Sequence, residues 1–127
     1  AHHQFDVDQE GKDSYRHRVA GATEVLLASR NRWALMHELR DEDEPALDDL
    51  LTKLAPVDLV LVEGYKRDRH LKIEAHRADT RNPLIATEDD TVRAIASDSG
   101  ASADGRRTFD LDDTKGIADF IAGELGL

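Results

Sequence analysis

Leucines 47, 50, 51 and 54 recur at the i, i+3, i+4, i+7 spacing that puts side chains on one face of an α-helix. Acids and Pro45 precede this stripe and Pro56 follows it, so a helix is predicted to start at the first proline and stop before the second. Its apolar face needs a sheet to cover. The run Leu59-Val60-Leu61-Val62 has the continuous apolar character of a strand buried on both faces of a parallel sheet, and it ends abruptly at Glu63-Gly64. Nearer the N-terminus, Glu24 to Ala28 and Trp33 to Met36 flank the polar group Ser29 to Arg32, which predicts a β-hairpin. A short helix is expected before it, with Asp13 as N-cap and Gly21 as a left-handed C-cap. Further strands are expected at Lys72 to His76, Leu84 to Ala86 and Val92 to Ala96, with Asn82-Pro83 and Glu88 to Asp90 as turns. Ile117, Phe120, Ile121 and Leu125 mark one face of a last helix that begins after Asp112-Asp113 and docks on the sheet.

This order of elements predicts one α/β domain over residues 1–127, long enough to bury a modest core and without internal repeats. The absence of cysteine removes disulfides, thiolate zinc sites and cysteine nucleophiles, leaving oxygen and imidazole as metal ligands. No apolar stretch approaches the roughly 18 to 20 residues that cross a bilayer, and the N-terminus has neither a basic segment nor an apolar signal core, so a cytoplasmic location is expected. A formal net charge of −10 argues against capture of nucleic acid or anionic membrane. The acid run Asp41 to Glu44 is most simply a solvated turn.

In open α/β sheets ligands sit beyond the carboxyl ends of the strands, where the apolar run delivers Glu63. A carboxylate there can hold a magnesium-bound water or orient an attacking one, and Gly64 lets the backbone turn closely around a phosphate. An acid at a strand end is equally where the chain returns to water, so both readings stand. The opening segment places His2, His3, Asp6 and Asp8 close together, ahead of Gly11-Lys12-Asp13-Ser14 and a helix. Asp6 and Asp8 offer hard oxygen ligands, and Lys12, Ser14 and the first helical amides can receive an anion. A residual purification tag and a solvated loop are the plain alternatives. Asp98, just past the strand at Val92 to Ala96, can accept from a base edge or cap a turn. Lys66, Arg67 and Arg69 can neutralise phosphate or decorate a solvated loop. Trp33 and Met36 read as core or interface residues.

Taken together, His2-His3-Gln-Phe-Asp-Val-Asp8, Gly11-Lys-Asp-Ser14, Ala28-Ser-Arg-Asn-Arg-Trp-Ala-Leu-Met36 and Val62-Glu-Gly-Tyr-Lys66 resemble the molybdopterin-guanine dinucleotide biosynthesis protein B family. The Ala96-Ser-Asp98 strand end and Phe109-Asp-Leu-Asp-Asp113 extend the match over nearly the whole chain. The resemblance implies a P-loop NTPase-like, three-layer fold with a mostly parallel sheet, a homodimer, and GTP and Mg2+ binding with slow hydrolysis. It also implies a role beside the molybdenum cofactor guanylyltransferase. By motif, Glu63 and Gly64 resemble the acidic strand end facing the γ-phosphate, and Asp6, Asp8 and Asp13 the loop near the metal. Family members open with a strand, a glycine-rich phosphate loop and a helix, whereas no G-x-x-x-x-G-K-[ST] occurs in this sequence. The chain is thus expected to represent the C-terminal three-quarters of such a domain and, by itself, to hold nucleotide poorly. A dimerisation or docking module without nucleotide chemistry is the main rival reading, and a small metal-binding protein using His2, His3, Asp6 and Asp8 is a third.

Overall fold

The computed structural model of the chain describes residues 7–103 and 105–127. It divides into two compact units, one reaching to Ala55 and the other running from Pro56 to Leu127.

In the first unit, helix α1 (Asp13–Val19) is followed by an antiparallel hairpin of β1 (Glu24–Ala28) and β2 (Trp33–His37) and by a short helix α2 (Leu47–Leu51). Asp13 is the first helical residue rather than the cap, and the extended residue ahead of it is Lys12, whose side chain has no acceptor to offer. The Asp13 carboxylate still sits favourably at the positive end of the helix dipole. At the other end Gly21 is left-handed (φ 107°), its amide donates to Arg18 O, and Ala22 N donates to His17 O. That pair of bonds satisfies carbonyls the helix would otherwise leave open, and it explains why the chain turns into β1 there. The hairpin pairs Glu24 with His37 and Ala28 with Trp33. Ser29 shapes its loop by accepting at Oγ from the amides of Asn31 and Arg32 (3.3 and 3.2 Å).

Helix α2 is shorter than the leucine stripe predicts: Leu47 is buried, Leu54 lies beyond the helix, and Leu50, Leu51 and Leu54 remain exposed. The strand predicted for Leu59 to Val62 is not formed. The segment carries no ladder, and Leu61 is 75% exposed. Apolar composition gives a segment the tendency to be a strand, but the strand itself exists only when neighbours supply ladder hydrogen bonds, and none of the described residues does so.

The second unit is built on a parallel sheet of β3 (Lys72–His76), β4 (Val92–Ser97) and β5 (Arg107–Asp110), in the order β3-β4-β5. Helix α3 (Thr114–Leu125) follows, with Asp113 as its N-cap accepting from Gly116 N at 2.9 Å. The central strand β4 is buried along most of its length and separates two apolar clusters. Ala86, Val92 and Ile95 gather with Leu84 and Ala103 in one. Ala94, Ala96 and Phe109 gather with Ile73, Leu111, Ile117 and Phe120 in the other. Val92 shares a cluster with Ile95, an odd spacing for a strand, because the register slips between Lys72 and Ile73: Lys72 faces Val92 while Ile73 faces Ala94. The Phe109 and Phe120 rings meet edge-on-tilted with centroids 5.6 Å apart and fasten α3 to the sheet.

The structure departs from the sequence pattern at two further points, one an expected strand that does not form and one a strand that was not expected. Leu84 to Ala86 is not a strand but leads into a 3-10 turn, Ile85–Thr87, whose first amides are drawn to a buried carboxylate described below. Strand β5, Arg-Thr-Phe-Asp, carries a single large apolar side chain and so has no alternation for a sequence pattern to detect. The mixed α/β architecture and parallel sheet agree with the predicted fold class.

Candidate functional site

Because β3, β4 and β5 are parallel, their carboxyl ends share one edge of the sheet, which carries His76, Ser97, Asp98 and Asp110. Asp98 lies just past β4, and its Oδ1 accepts from Ala78 N at 3.0 Å. The carboxylate therefore fastens the 3-10 turn Ala78–Thr80 that follows β3, the turn-capping role that the sequence allowed beside base recognition. No other hydrogen bond reaches it among the described residues. Ser97 is buried, and its Oγ accepts from Ser99 N and Ala101 N at 3.1 and 3.3 Å. His76 places Nε2 at 3.0 Å from Asn82 O, so this nitrogen donates, and its buried Nδ1 has no partner among the described residues.

Glu63 is exposed and stands at the end of the unpaired apolar segment rather than at the end of a strand. The backbone then passes through two successive left-handed residues, Gly64 (φ 86°) and Tyr65 (φ 48°). Tyr65 O accepts from Asp68 N at 3.0 Å, closing a turn whose tip is Lys66-Arg67. These cations, with Arg69, form one wall of a groove of about 420 Å3 whose other wall runs from Pro83 to Asp89.

That second wall is fixed by two polar devices. Glu74, buried in β3, accepts from Ile85 N at Oε1 and from Ala86 N at Oε2, both at 2.8 Å. At the base of the sheet, Lys72 Nζ donates to Thr91 Oγ1 at 2.6 Å and pairs with Asp89 Oδ2 at 3.2 Å, and it also donates to the carbonyls of Asp68 and His70. Thr91 donates to Asp89 Oδ1 through its hydroxyl and its amide at 2.5 and 2.9 Å. The hydroxyl bond first, then the amide bond and Lys72, hold the Asp89 carboxyl at about 2, below its ordinary 3.8.

The remaining predicted residues lie in the first unit. Lys12 and Asp13 are exposed at the start of α1, while Ser14 is buried. Asp8 is enclosed, with only 2% of its side chain exposed, and its carboxylate receives both Nη2 (2.9 Å) and Nε (3.2 Å) of Arg18. Such a forked pair satisfies both carboxylate oxygens and anchors the loop on α1. Asp6, His2 and His3 fall outside the described residues, and no group of three or more His, Asp or Glu side chains positioned for a metal occurs among those described. His37 sits between Glu24 (3.0 Å) and Glu42 (3.4 Å), whose hydrogen bonds raise its pKa above the usual imidazole value.

The sequence pattern did not single out Glu74, Lys72, Asp89 or Arg18. A signal exists for Glu74: an acid flanked by Ile73 and Ala75 inside a predicted strand must either face water or find donors. Long-range partners such as Asp8 and Arg18 leave no such local mark.

Residues 1–98 match the family model described as molybdopterin guanine dinucleotide synthesis protein B. The chain is 42% identical over 123 residues to the molybdopterin-guanine dinucleotide biosynthesis adapter protein of Escherichia coli K12, a match covering 94% of this chain and 70% of that protein. Over 128 residues it is 40% identical to the protein of the same name from Haemophilus influenzae, covering 98% of this chain and 69% of the relative. The matched span includes the hairpin, the Glu63-Gly64 turn and the strand leading to Asp98, and on this evidence the chain belongs to the molybdopterin guanine dinucleotide synthesis protein B family.

Proposed function

We propose that this protein is an adapter in molybdopterin guanine dinucleotide biosynthesis, acting beside the molybdenum cofactor guanylyltransferase, and that it binds GTP with magnesium when a phosphate-gripping loop is part of the protein. The observation that carries the reading is identity of 40% or more, along nearly the entire chain, to two proteins named as adapters of this pathway.

In this reading Glu63 orients the metal or an attacking water, and Gly64 allows the backbone to approach the γ-phosphate. Within the first unit Lys12 and the buried Ser14 are the anion candidates, and within the second Asp98 is the candidate to accept from a guanine edge through the carboxylate oxygen not bonded to Ala78. Magnesium keeps several waters and takes one or two carboxylates plus phosphate oxygens, so it needs no closed protein cage. Among Asp6, Asp8 and Asp13, the exposed Asp13 is available without rearrangement, whereas Asp8 must first leave Arg18. Asp13, Asp6 or Asp8 would hold the cation, whose charge would offset that of the phosphates. Slow hydrolysis is the expected activity.

Homodimer formation belongs to the same proposal. Leu26 and Leu35 face each other across the hairpin, Trp33 lies on the same face, and the three are 65%, 52% and 70% exposed. Burying such side chains contributes about 1.5 to 3 kcal/mol each. A docking module without nucleotide chemistry would use this same face, so the nucleotide must be tested directly. Titration calorimetry of magnesium-GTP into the protein extended upstream with a G-x-x-x-x-G-K-[ST] segment should give binding at about micromolar strength, and residues 1–127 alone should give none. In the extended protein Glu63→Gln should lower turnover by about 100-fold or more with little change in affinity. Equal turnover in Glu63→Gln would remove Glu63 from the mechanism, and tight GTP binding by residues 1–127 would overturn the proposed dependence on the loop.

A further inference from the structure

The groove between the Lys66-Arg67 turn and the Pro83 to Asp89 segment has a charge pattern at odds with the rest of the molecule. The chain carries a formal charge of −10, yet three cations within a short segment face this one groove. Its acids are largely committed elsewhere. Asp89 is held through both oxygens by Thr91 and Lys72, and Arg69 is matched by Asp90 at 2.9 Å. Lys66 and Arg67 pair with no carboxylate among the described residues, and the acids lining the groove are Glu88 and Asp89, the latter already paired with Lys72.

The presentation of these two cations is built into the backbone. Tyr65 occupies a left-handed conformation that is sterically costly for a bulky residue, and the Tyr65 O to Asp68 N bond fixes Lys66 and Arg67 at the turn tip. The facing wall is equally determined, because buried Glu74 holds the amides of Ile85 and Ala86. Pro83, Leu84 and Ile85 give that wall an apolar surface. A cationic lip over an apolar wall selects a ligand with a compact, doubly charged anion at one end and a flat apolar body at the other.

We propose that this groove binds a small phosphate monoester, with Lys66 and Arg67 holding the phosphate and the apolar wall at Pro83, Leu84 and Ile85 receiving the organic group. The site adjoins the Gly64 turn used in the nucleotide reading, but it needs neither a phosphate loop nor magnesium, and its test uses no nucleotide.

The experiment is a titration of the isotopically labelled 127-residue chain, followed by amide shifts, with phenyl phosphate, inorganic phosphate and benzyl alcohol in parallel. Phenyl phosphate should move the amides of Lys66, Arg67, Ile85 and Thr87 to saturation, and inorganic phosphate should do so about tenfold more weakly because it forgoes the apolar contact. Benzyl alcohol should leave them in place. Lys66→Ala and Arg67→Ala should each weaken phenyl phosphate by about fivefold, as expected for exposed charge pairs. Lys66→Arg should bind within about twofold of the original, which separates loss of charge from damage to the turn. The proposal fails if the shifts map elsewhere, if the double alanine variant binds as the original does, or if benzyl alcohol or inorganic phosphate matches phenyl phosphate.

Discussion

Replacing Glu74 with alanine should destabilise the Pro56 to Leu127 unit more than any other single loss of a carboxylate from it. The residue is 8% exposed, and each carboxylate oxygen accepts one backbone N–H of the Ile85–Thr87 turn at 2.8 Å. Hydrogen bonds to a charged acceptor are worth about 1.5 to 3 kcal/mol each, and removing the acceptor leaves two donors facing a small void. Solvent can reach Ile85, which is itself exposed, whereas Ala86 is 1% exposed, so one amide recovers a water and the other does not. The expected loss is therefore about 2 to 4 kcal/mol, below the sum of two full bonds. Glu74→Gln should cost about half as much, because it keeps the shape and one acceptor but turns an amide N–H2 toward a backbone donor. Urea unfolding monitored by circular dichroism measures both, and hydrogen exchange at Ile85 and Ala86 locates the effect. An unfolding free energy for Glu74→Ala within about 0.5 kcal/mol of the original, with Ala86 still protected, would refute the claim that this carboxylate sets the turn.

Two other outcomes follow from the same reasoning. Asp89 is ionised in the folded protein down to about 2 against an ordinary 3.8, so its contribution is complete above 3.8 and lost as pH falls through about 2. Thermal melts across that window should show a steep acid loss that Thr91→Val flattens, and an unchanged slope in Thr91→Val would contradict the assigned cause. The hairpin face should hold two copies together: Leu26→Ser with Trp33→Ser should shift the light-scattering mass from two chains to one without unfolding the hairpin, and a one-chain mass for the original protein at all concentrations would end that proposal.

Local patterns made much of the second unit legible, because β3, β4 and α3 each carry a signal within their own residues: apolar runs bounded by turns, and Asp113 capping an amphipathic face. The segment Leu59 to Val62 shows where such reading stops. Its composition is that of a buried strand, yet strand formation depends on neighbours that composition cannot supply, and the described structure leaves it exposed and unpaired. Leu84 to Ala86 failed for a different reason, since a carboxylate from β3 reorganised its amides from a distance in sequence. Glu63, Gly64 and Asp98 stand out in the sequence because each follows an apolar stretch, but only Asp98 lies just past a strand that forms. The partners that define their surroundings, such as Ala78 against Asp98 and Arg18 against Asp8, arise only from the fold.

Sedimentation velocity with the molybdenum cofactor guanylyltransferase tests the proposed adapter role most directly, without relying on GTP chemistry. Mixed at about 10 micromolar each, the two proteins should sediment as a faster complex that dissociates on dilution, as transient functional interfaces do. Independent boundaries for the two proteins up to about 100 micromolar would contradict the central claim.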